Sequence, residues 1–179
     1  MLSLVAFSGV IWYYFAMNDL IYVALSGGVD SAAAAIILKQ RGYQVRGVIL
    51  RLKPDDLADD DIRDAQTVAD ALSIPLEVLD RREEFKKITD YFCQSYIDGL
   101  TPNPCVLCNP TVKFRLLLDY ALEQGADYLA TGHYSTIVNK DGAYYIQKNP
   151  SGKDQSYFLC GLDQSILSRG IFPLSDLTK

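Results

Sequence analysis

Uninterrupted apolar stretches alternate along this chain with amphipathic segments, and the alternation predicts an α/β domain. Apolar and partly β-branched runs over residues 20–25 and 45–50 are typical of strands that are buried on both faces. The Ala-, Ile- and Leu-rich segment 32–42 between them predicts a helix that ends at Gly42. Strand, helix and strand make one right-handed βαβ unit, so we predict a mainly parallel sheet with helices on both faces.

The pattern downstream of this unit predicts further helices and strands. Strands are predicted over 75–79 and 127–130, helices over about 62–72, 83–97 and 113–124, and a β-hairpin over 134–138 and 143–147. The acidic run 54–61 is interpreted as a solvated loop, with a Mg²⁺ site as the alternative. Two prolines within 101–109 predict an extended turn.

The turn between the first strand and the first helix has the composition of a phosphate-binding site. It reads Ser26-Gly27-Gly28-Val29-Asp30-Ser31. The glycines permit positive φ and a close approach of the backbone, while the serine hydroxyls and the helix N-terminus supply hydrogen-bond donors. A carboxylate would repel a phosphate, so Asp30 suits Mg²⁺ bridging to phosphate or capping of the helix. No Lys follows the glycines, which excludes the Gly-Lys-Ser/Thr type of loop.

The composition limits which partners and which cellular compartment are compatible with this chain. A chain of 179 residues can hold one full α/β domain, or one domain and part of another. The formal net charge of −5 argues against a general affinity for nucleic acid, although a local basic surface stays open. Four cysteines, with Cys105 and Cys108 spaced Cys-x-x-Cys, fit redox, metal or cluster chemistry in a reducing compartment. We therefore expect a cytoplasmic protein.

The segment 1–16 is apolar and carries no charge. It is too short to span a bilayer comfortably, and it lacks the basic start of a secretory signal. One interpretation is a short tail that associates with a membrane. The other, which we favour, is an extension that precedes a true start at Met17 and is dispensable for folding. We expect no membrane partner.

The phosphate-binding turn resembles the signature of the ATP pyrophosphatases, or PP-loop enzymes, which share an adenine nucleotide alpha-hydrolase-like fold. Four sequence blocks then occur in a defined order, namely 26–31, 101–109 with Lys113-Phe114, 130–134 and 153–159. This set resembles the tRNA-specific 2-thiouridylases, which place sulfur on C2 of the wobble uridine. The similarity runs from about residue 18 to residue 179. It implies a PP-loop ATP-binding catalytic domain over 17–160 and the start of a following segment over 161–179.

The resemblance implies a role for each matching residue. ATP with Mg²⁺ would be bound by Ala24, Leu25, Ser26, Gly27, Gly28, Val29, Asp30, Ser31, Leu50 and Gly132. The tRNA would be met by Asn103, Pro104, Cys105, His133, Lys153, Asp154 and Gln155. Asp30 and Cys108, at the position of the family's first catalytic cysteine, would be catalytic. The reaction would adenylate the uracil C2 oxygen, and sulfur delivered by a donor protein would then attack C2 through a cysteine.

The chain also departs from the family pattern. The family's second catalytic cysteine, which carries the persulfide, and its further tRNA-binding domains lie beyond the region covered. We therefore expect an N-terminal fragment or the product of a truncated gene. Pro110 stands where a basic residue is usual, and Leu52-Lys53-Pro54 replaces a polar-aromatic pair. Two other functions stay open, namely sulfur insertion into a small molecule and a nucleotide- or tRNA-binding module without turnover.

Three thiols, Cys105, Cys108 and Cys160, admit more than one chemistry. In the favoured interpretation Cys108 works through a persulfide with the absent second cysteine. In the second, the three thiols hold a [4Fe–4S] cluster and leave one iron open to sulfide. A Zn²⁺ site is a weaker option, since structural zinc takes four ligands. The distance of Cys160 from the other two thiols decides between these interpretations.

Overall fold

The structure is a computed structural model that describes residues 19–149 and 152–177, without the side chains of 55–59. The apolar segment 1–16, and with it both interpretations of that segment, lies outside the described residues. The strands are β1 (Leu20–Ala24), β2 (Gln44–Arg51), β3 (Leu76–Asp80), β4 (Tyr128–Ala130), β5 (Thr136–Lys140), β6 (Ala143–Gln147) and β7 (Gly170–Ile171). The helices are α1 (Val29–Gln40), α2 (Asp55–Leu72), α3 (Arg82–Ile97), α4 (Pro104–Cys108), α5 (Arg115–Glu123) and α6 (Gln164–Leu167). Among the described residues no helix is both long and apolar enough to cross a membrane.

Five strands form one parallel sheet in the order β3-β2-β1-β4-β7. The chain moves outward from β1 through β2 to β3, and then returns to the other side of β1 with β4. The winding therefore reverses between β1 and β4, and ligands of such sheets bind in the crevice outside the carboxyl ends of the strands at this point. Strands β5 and β6 form a separate antiparallel hairpin. The prediction of a mainly parallel α/β fold is confirmed.

The central strand explains why both faces of the sheet are covered. Ile21, Tyr22 and Val23 of β1 are completely buried. Because side chains of a strand point alternately to opposite faces, both faces of the sheet are covered at this strand. Ile21 and Val23 pack with α1 and α2 in one cluster, whereas Tyr22 packs with Leu118 of α5 in another. Helices thus lie on both faces, as the sequence predicts. The apolar stretch 20–25 is continuous for this reason.

The segment after residue 160 belongs to the same packed unit. Strand β7 pairs with β4 at the edge of the parallel sheet. Leu162, Ile166 and Phe172 lie in the core cluster that contains Tyr22. The domain boundary expected at residue 160 therefore falls inside one sheet and one core.

Two local predictions are wrong. The run 54–61 is not a loop, because α2 already begins at Asp55. The run contains no Gly or Pro after Pro54, so nothing in its backbone interrupts a helix. The extended turn predicted over 101–109 is helical from Pro104 onward. The Asn103 side chain caps this helix by accepting a hydrogen bond of 3.2 Å from the Cys105 N–H, and proline is well tolerated at the first helical position.

Candidate functional site

The turn between β1 and α1 is closed by its own hydroxyl groups. Ser31 Oγ donates to the Gly28 carbonyl oxygen at 2.9 Å and accepts from the Ser26 N–H at 3.2 Å. The two serine hydroxyls lie 3.2 Å apart. Gly27 has a φ of 73°, in the left-handed region that glycine adopts without strain. Internal hydrogen bonds therefore hold the turn in shape.

Neighbouring elements press on this turn closely enough to require glycine. A Cβ atom on Gly132 would lie 2.7 Å from the Asp30 carbonyl carbon and 2.8 Å from the Ser31 nitrogen. A Cβ atom on Gly27 would lie 2.6 Å from Cβ of Asp64 in α2. The turn is thus held between the end of β4 and α2, and the backbone at Asp30 has little room to move.

A cavity of about 410 Å³ opens at the carboxyl ends of β1, β2 and β4. It lies where the winding of the sheet reverses, as expected of a ligand site in this class of fold. Its lining consists of Ala24, Leu25, Ser26, Asp30, Ser31, Val48, Ile49, Leu50, Arg51, Leu52, Lys53, Asp61, Ile62, Lys113, Phe114, Leu117, Thr131, Gly132, His133 and Gln155. Apolar side chains and polar or charged ones are about equally numerous in this lining, which suits a molecule that has a flat apolar part and a charged part.

Nine residues predicted for binding reach this cavity. They are Ala24, Leu25, Ser26, Asp30, Ser31, Leu50, Gly132, His133 and Gln155. Gly27, Gly28 and Val29 belong to the turn but are not among the lining residues, and neither are Asn103, Pro104, Cys105, Lys153 and Asp154. Residues of the turn and two residues predicted to meet RNA therefore share one cavity.

Asp30 is neither a helix cap nor isolated. The N-cap of α1 is Gly28, with a φ of −82°, so the capping alternative for Asp30 is wrong. Its Oδ1 accepts a hydrogen bond of 3.1 Å from the Tyr134 hydroxyl, and its Oδ2 accepts one of 3.1 Å from Lys153 Nζ. Lys153 Nζ also lies 4.0 Å from the centre of the Tyr134 ring. The carboxylate at the cavity wall is thus paired with a cation of the same chain.

His133, the only histidine of the sequence, lies at the end of β4 against aromatic rings. Its ring is 5.5 Å from the Phe114 ring and 5.9 Å from the Phe172 ring. Its Nδ1 lies 2.8 Å from the Thr131 hydroxyl. Burial, and then the positive charge of Lys113, lower the pKa of His133 from 6.5 to about 4. The imidazole is therefore neutral near pH 7.

The segment 153–155 is fastened to the end of β4. Gln155 Oε1 accepts from the Tyr134 N–H at 2.9 Å, and the Gln155 N–H donates to the Tyr134 carbonyl oxygen at 2.9 Å. Asp154 accepts from the Asn149 N–H at 3.0 Å and from the Ser156 hydroxyl at 2.7 Å. Although partial burial opposes its ionisation, these hydrogen bonds hold the pKa of Asp154 below its usual value.

Cys108 lies in a small apolar cluster beside the cavity. The residue is only 5% exposed and packs with Ile88 and Val112. Leu50 and Leu52 pack against this cluster and also line the cavity. Burial raises the pKa of the Cys108 thiol, while the charge and the backbone N–H of Lys113 act in the opposite direction. The thiol is thus near the cavity but held in its protonated form.

The three thiols do not form a metal site. Cys108 is buried, whereas Cys105 and Cys160 are exposed, and all four described cysteines are free. Across residues 19–149 and 152–177 there is no group of three or more His, Cys, Asp or Glu side chains that could hold a metal ion. The three-thiol site that the second interpretation places at Cys105, Cys108 and Cys160 is therefore not assembled.

Two sequence blocks predicted to meet RNA pack against each other. The Asn109 side-chain Nδ2 donates to the Phe158 carbonyl oxygen at 2.8 Å. A Cβ atom on Gly161 would lie 3.1 Å from Cγ of Pro110, so the proline packs on that glycine. The segment Asn109–Phe114 is a π-helical turn that joins α4 to α5. α4 and the segment around Phe158 are therefore neighbours beside the cavity.

Sequence reasoning missed several polar residues of the site. Tyr134 bonds Asp30 across the fold, and Lys53 pairs with Asp61 at the cavity wall. The ion pair has an i,i+8 spacing that joins the end of β2 to α2, so only a correct start of α2 could have suggested it. No local pattern signals the contact of Tyr134 with Asp30.

Comparison with known proteins decides the family. A family model described as the tRNA methyl transferase HUP domain matches residues 19–179. The chain belongs to this family. The resemblance to the tRNA-specific 2-thiouridylases is confirmed as well, because sequences of that name are 46–49% identical over about nine-tenths of the chain. The parallel α/β architecture described above is the HUP domain of this family.

Three similar proteins illustrate the match and its extent. The tRNA-specific 2-thiouridylase MnmA of Nitrosomonas europaea is 46% identical over 167 residues, which cover 89% of this chain and 46% of that protein. The MnmA of Syntrophotalea carbinolica is 49% identical, covering 90% and 48%. A solved U34-tRNA thiolase, NcsA of Methanococcus maripaludis with its [4Fe–4S] cluster, matches with a TM-score of 0.48 and 22% identity, covering 64% and 38%. The chain thus spans about half the length of its curated relatives.

Proposed function

We propose that this chain is the ATP-binding, adenylating domain of a tRNA sulfurtransferase that forms 2-thiouridine at the wobble position. One observation carries the proposal. The closed turn 26–31 opens into a cavity whose lining also contains His133 and Gln155, so a nucleotide and a target base would meet in one place. The sequence relationship to the 2-thiouridylases supports the choice of substrate. Four free cysteines fit a cytoplasmic location.

The cavity suggests how ATP would lie. Its phosphates would meet the turn 26–31 and the N-terminus of α1, where backbone N–H groups lack partners within the helix. The adenine would lie against the apolar wall that includes Leu50. Gly132 keeps the end of β4 close to the turn, since any side chain there would strike the backbone of Asp30.

Asp30 fits a role in holding Mg²⁺. A carboxylate is a hard oxygen ligand, and Mg²⁺ is commonly held by one or two carboxylates together with substrate phosphates. Asp30 already has a cation against it, the ammonium group of Lys153. Bound Mg²⁺ would neutralise charge on the phosphates during cleavage. Mg²⁺ at this position is a proposal that follows from the chemistry of these residues.

The proposed chemistry has two steps. The uracil C2 oxygen attacks the α-phosphorus of ATP, the bond to the bridging oxygen breaks, and pyrophosphate leaves. A sulfur nucleophile then attacks C2, and AMP leaves with the former C2 oxygen. A neutral His133 would position the base or a phosphate oxygen by hydrogen bonding, and it would add no positive charge. Asn103, Pro104, Cys105, Lys153, Asp154 and Gln155 would contact the tRNA around this point.

The sulfur step requires a reactive thiolate, and Cys108 does not present one in this conformation. Cys108 is buried and its pKa is raised, so a thiolate there needs a rearrangement of α4 or contact with a partner. We therefore propose a persulfide route, in which a donor protein loads a persulfide on the family's second cysteine and its outer sulfur displaces AMP from C2. The Cys108 thiolate then attacks the inner sulfur, so that the S–S bond breaks, 2-thiouridine is released, and a disulfide forms that an added thiol reduces. Across residues 19–149 and 152–177 no three metal-ligating side chains come together, which favours this route over a three-thiol cluster.

A single incubation tests the proposal against its alternatives. The chain is mixed with ATP, Mg²⁺, tRNA that lacks the wobble thiolation, and a sulfide source, and released pyrophosphate is measured. Nucleosides from the digested tRNA are then analysed by mass spectrometry. We expect pyrophosphate release that depends on tRNA. Sulfur that reaches the adenylated C2 would be detected as 2-thiouridine.

Other outcomes would identify another function. Binding of ATP and tRNA without pyrophosphate release would contradict the proposal and identify a binding module. Pyrophosphate release that requires an added small-molecule substrate and does not depend on tRNA would indicate the alternative, an enzyme that inserts sulfur into a small molecule.

A further inference from the structure

The pairing of Lys153 with Asp30 is built from several contacts. Lys153 Nζ donates to Asp30 Oδ2 at 3.1 Å and lies 4.0 Å from the centre of the Tyr134 ring. Tyr134 Oη donates to Asp30 Oδ1 at 3.1 Å. Both oxygens of the carboxylate therefore accept a hydrogen bond, and the ammonium group has an anion and the face of an aromatic ring against it.

The surrounding chain keeps these groups in place. Tyr134 is only 4% exposed, and its backbone N–H and carbonyl oxygen both bond to Gln155. The backbone at Asp30 is confined by Gly132. Lys153 and Asp30 are each about one-third exposed or less, at 33% and 28% of their side chains. The pair is thus sheltered by packed neighbours and still reachable from the cavity.

We propose that Lys153 holds the place of a divalent cation at Asp30, so that Lys153 and the metal compete for this carboxylate. The inference rests on the proposed function only in taking Asp30 as a metal ligand. In the nucleotide-free chain the ammonium group neutralises Asp30. When a divalent cation arrives with the nucleotide, the ammonium group leaves Oδ2, since two cations on one carboxylate repel each other.

The competition has a consequence for the segment predicted to meet RNA. Lys153 is two residues from Gln155, which bonds Tyr134 and lines the cavity. A released ammonium group would be free to bind a phosphate oxygen of the nucleotide or of the RNA. Metal occupancy at Asp30 and the position of Lys153 would therefore be linked.

The test isolates the metal from all other contacts of the nucleotide. An ATP analogue with a methylene group between the α- and β-phosphorus atoms binds without being cleaved. Its Kd is measured by calorimetry without divalent metal and with saturating Mn²⁺, and the ratio of the two values is the metal factor. We expect Lys153→Met to raise this factor about three- to tenfold, because the competing charge is gone. Lys153→Arg, which keeps the charge, should stay closer to wild type.

Matched variants make each outcome decisive. Asp30→Asn should lower the metal factor towards unity, with or without Lys153→Met, because the carboxylate for which the two cations compete is gone. Lys140→Met removes an exposed lysine of the β5–β6 hairpin and should change nothing. Lys153→Gln serves as a second neutral variant if the methionine variant folds poorly. A metal factor that stays constant or falls in both neutral variants overturns the inference, and so does a wild-type factor in Asp30→Asn.

Failure of this inference and failure of the proposed function are distinguishable. The measurement contains no tRNA, no sulfur source and no turnover. A chain that binds the analogue but never thiolates tRNA can still show the competition. A chain that thiolates tRNA can equally show a metal factor that Lys153 does not affect.

Discussion

The turn 26–31 and the helix α4 lie beside the same cavity, yet they differ in how ready each is for chemistry. The turn is closed by the Ser31 hydroxyl and opens into the cavity. Helix α4 ends at Cys108, which is buried among apolar side chains and has a raised pKa. Phosphate binding needs backbone N–H groups that can be fixed in advance, whereas a sulfur nucleophile has to become a thiolate or persulfide.

The two halves of the proposed reaction therefore depend on different parts of the protein. Every group proposed to hold the nucleotide is placed by β1, β2, β4 and α1 of this chain. The proposed sulfur step depends on a donor and on a rearrangement around Cys108. The comparison of the two regions therefore predicts stronger effects of substitutions at the turn than at the thiol.

The largest expected effect comes from Asp30→Ala. Loss of the carboxylate removes the proposed protein ligand of Mg²⁺, so we expect pyrophosphate release to fall about a hundredfold or more. The rate of pyrophosphate release with ATP and tRNA is the measurement. Asp70→Ala, at an exposed position of α2, is the matched control and should leave the rate unchanged. A rate within a few-fold of wild type in Asp30→Ala would contradict the proposed role of Asp30 in holding Mg²⁺. The turn would then no longer differ from α4 in its readiness for chemistry.

The second prediction concerns the space at Gly132. In Gly132→Ala the new methyl group would lie 2.7 Å from the Asp30 carbonyl carbon, and backbone cannot move aside as a flexible side chain can. We expect the free energy of unfolding to fall by about 1–3 kcal/mol, with loss of nucleotide binding. Urea denaturation measures the first effect and calorimetry the second.

Gly28→Ala is the matched control for this substitution. Gly28 has a φ of −82°, and its Cβ would lie 3.4 Å from Ser26 Oγ, an ordinary contact. The loss of stability in this variant should stay below about 1 kcal/mol, mainly from the less favourable N-cap. Equal losses in both variants would show that the approach of β4 to the turn is not tight.

The third prediction is a pH dependence of stability that arises from His133. Its pKa is about 4 in the folded chain and near 6.5 when solvated, so the unfolded chain binds more protons between these values. The stabilisation from burying the neutral ring is complete above pH 6.5 and is lost as the pH falls towards 4. Between about pH 8 and about pH 5 the loss should be about 2 kcal/mol.

His133→Gln isolates this contribution. Carboxylates also titrate at the acid end, but they are present in both proteins and cancel in the comparison. The free energy of unfolding, measured by urea denaturation at each pH, should therefore fall less steeply in the variant. If the free energy of unfolding depended on pH in the same way in both proteins, the imidazole ring of His133 would be solvated in the folded chain.

Particular residues show why the sequence predicted the turn better than the thiol region. The turn 26–31 is local, since its hydrogen bonds join residues three and five apart. The pairing of Lys153 with Asp30 spans 123 positions and needs the whole fold. Burial of Cys108 likewise depends on Ile88 of α3, which no spacing around Cys105 and Cys108 indicates. The acidic composition of 54–61 favours a loop, whereas α2 begins at Asp55 because no Gly or Pro after Pro54 interrupts the helix.

The smallest expected effect comes from Lys113→Gln, which tests the electrostatic link between the two regions. Lys113 lines the cavity, and its charge acts on both His133 and Cys108. A positive charge disfavours the imidazolium ion and favours the thiolate, so it lowers both pKa values. Its removal should therefore raise the pKa of His133 and that of Cys108 together. The differences in pKa between the wild type and Lys113→Gln should both become smaller at high ionic strength, since salt screens the charge of Lys113.

Two readouts follow the shifts separately in one sample. The single histidine gives one set of ring resonances, so its titration by nuclear magnetic resonance needs no assignment among several histidines. The pH dependence of alkylation at Cys108 is followed by mass spectrometry of its peptide, with the exposed Cys93 as an internal reference. Lys148→Gln, at an exposed position before the segment 153–155, is the matched control and should move neither value. Opposite shifts, or a shift of His133 alone, would show that Lys113 does not connect the thiol to the cavity, and that the two regions are electrostatically independent.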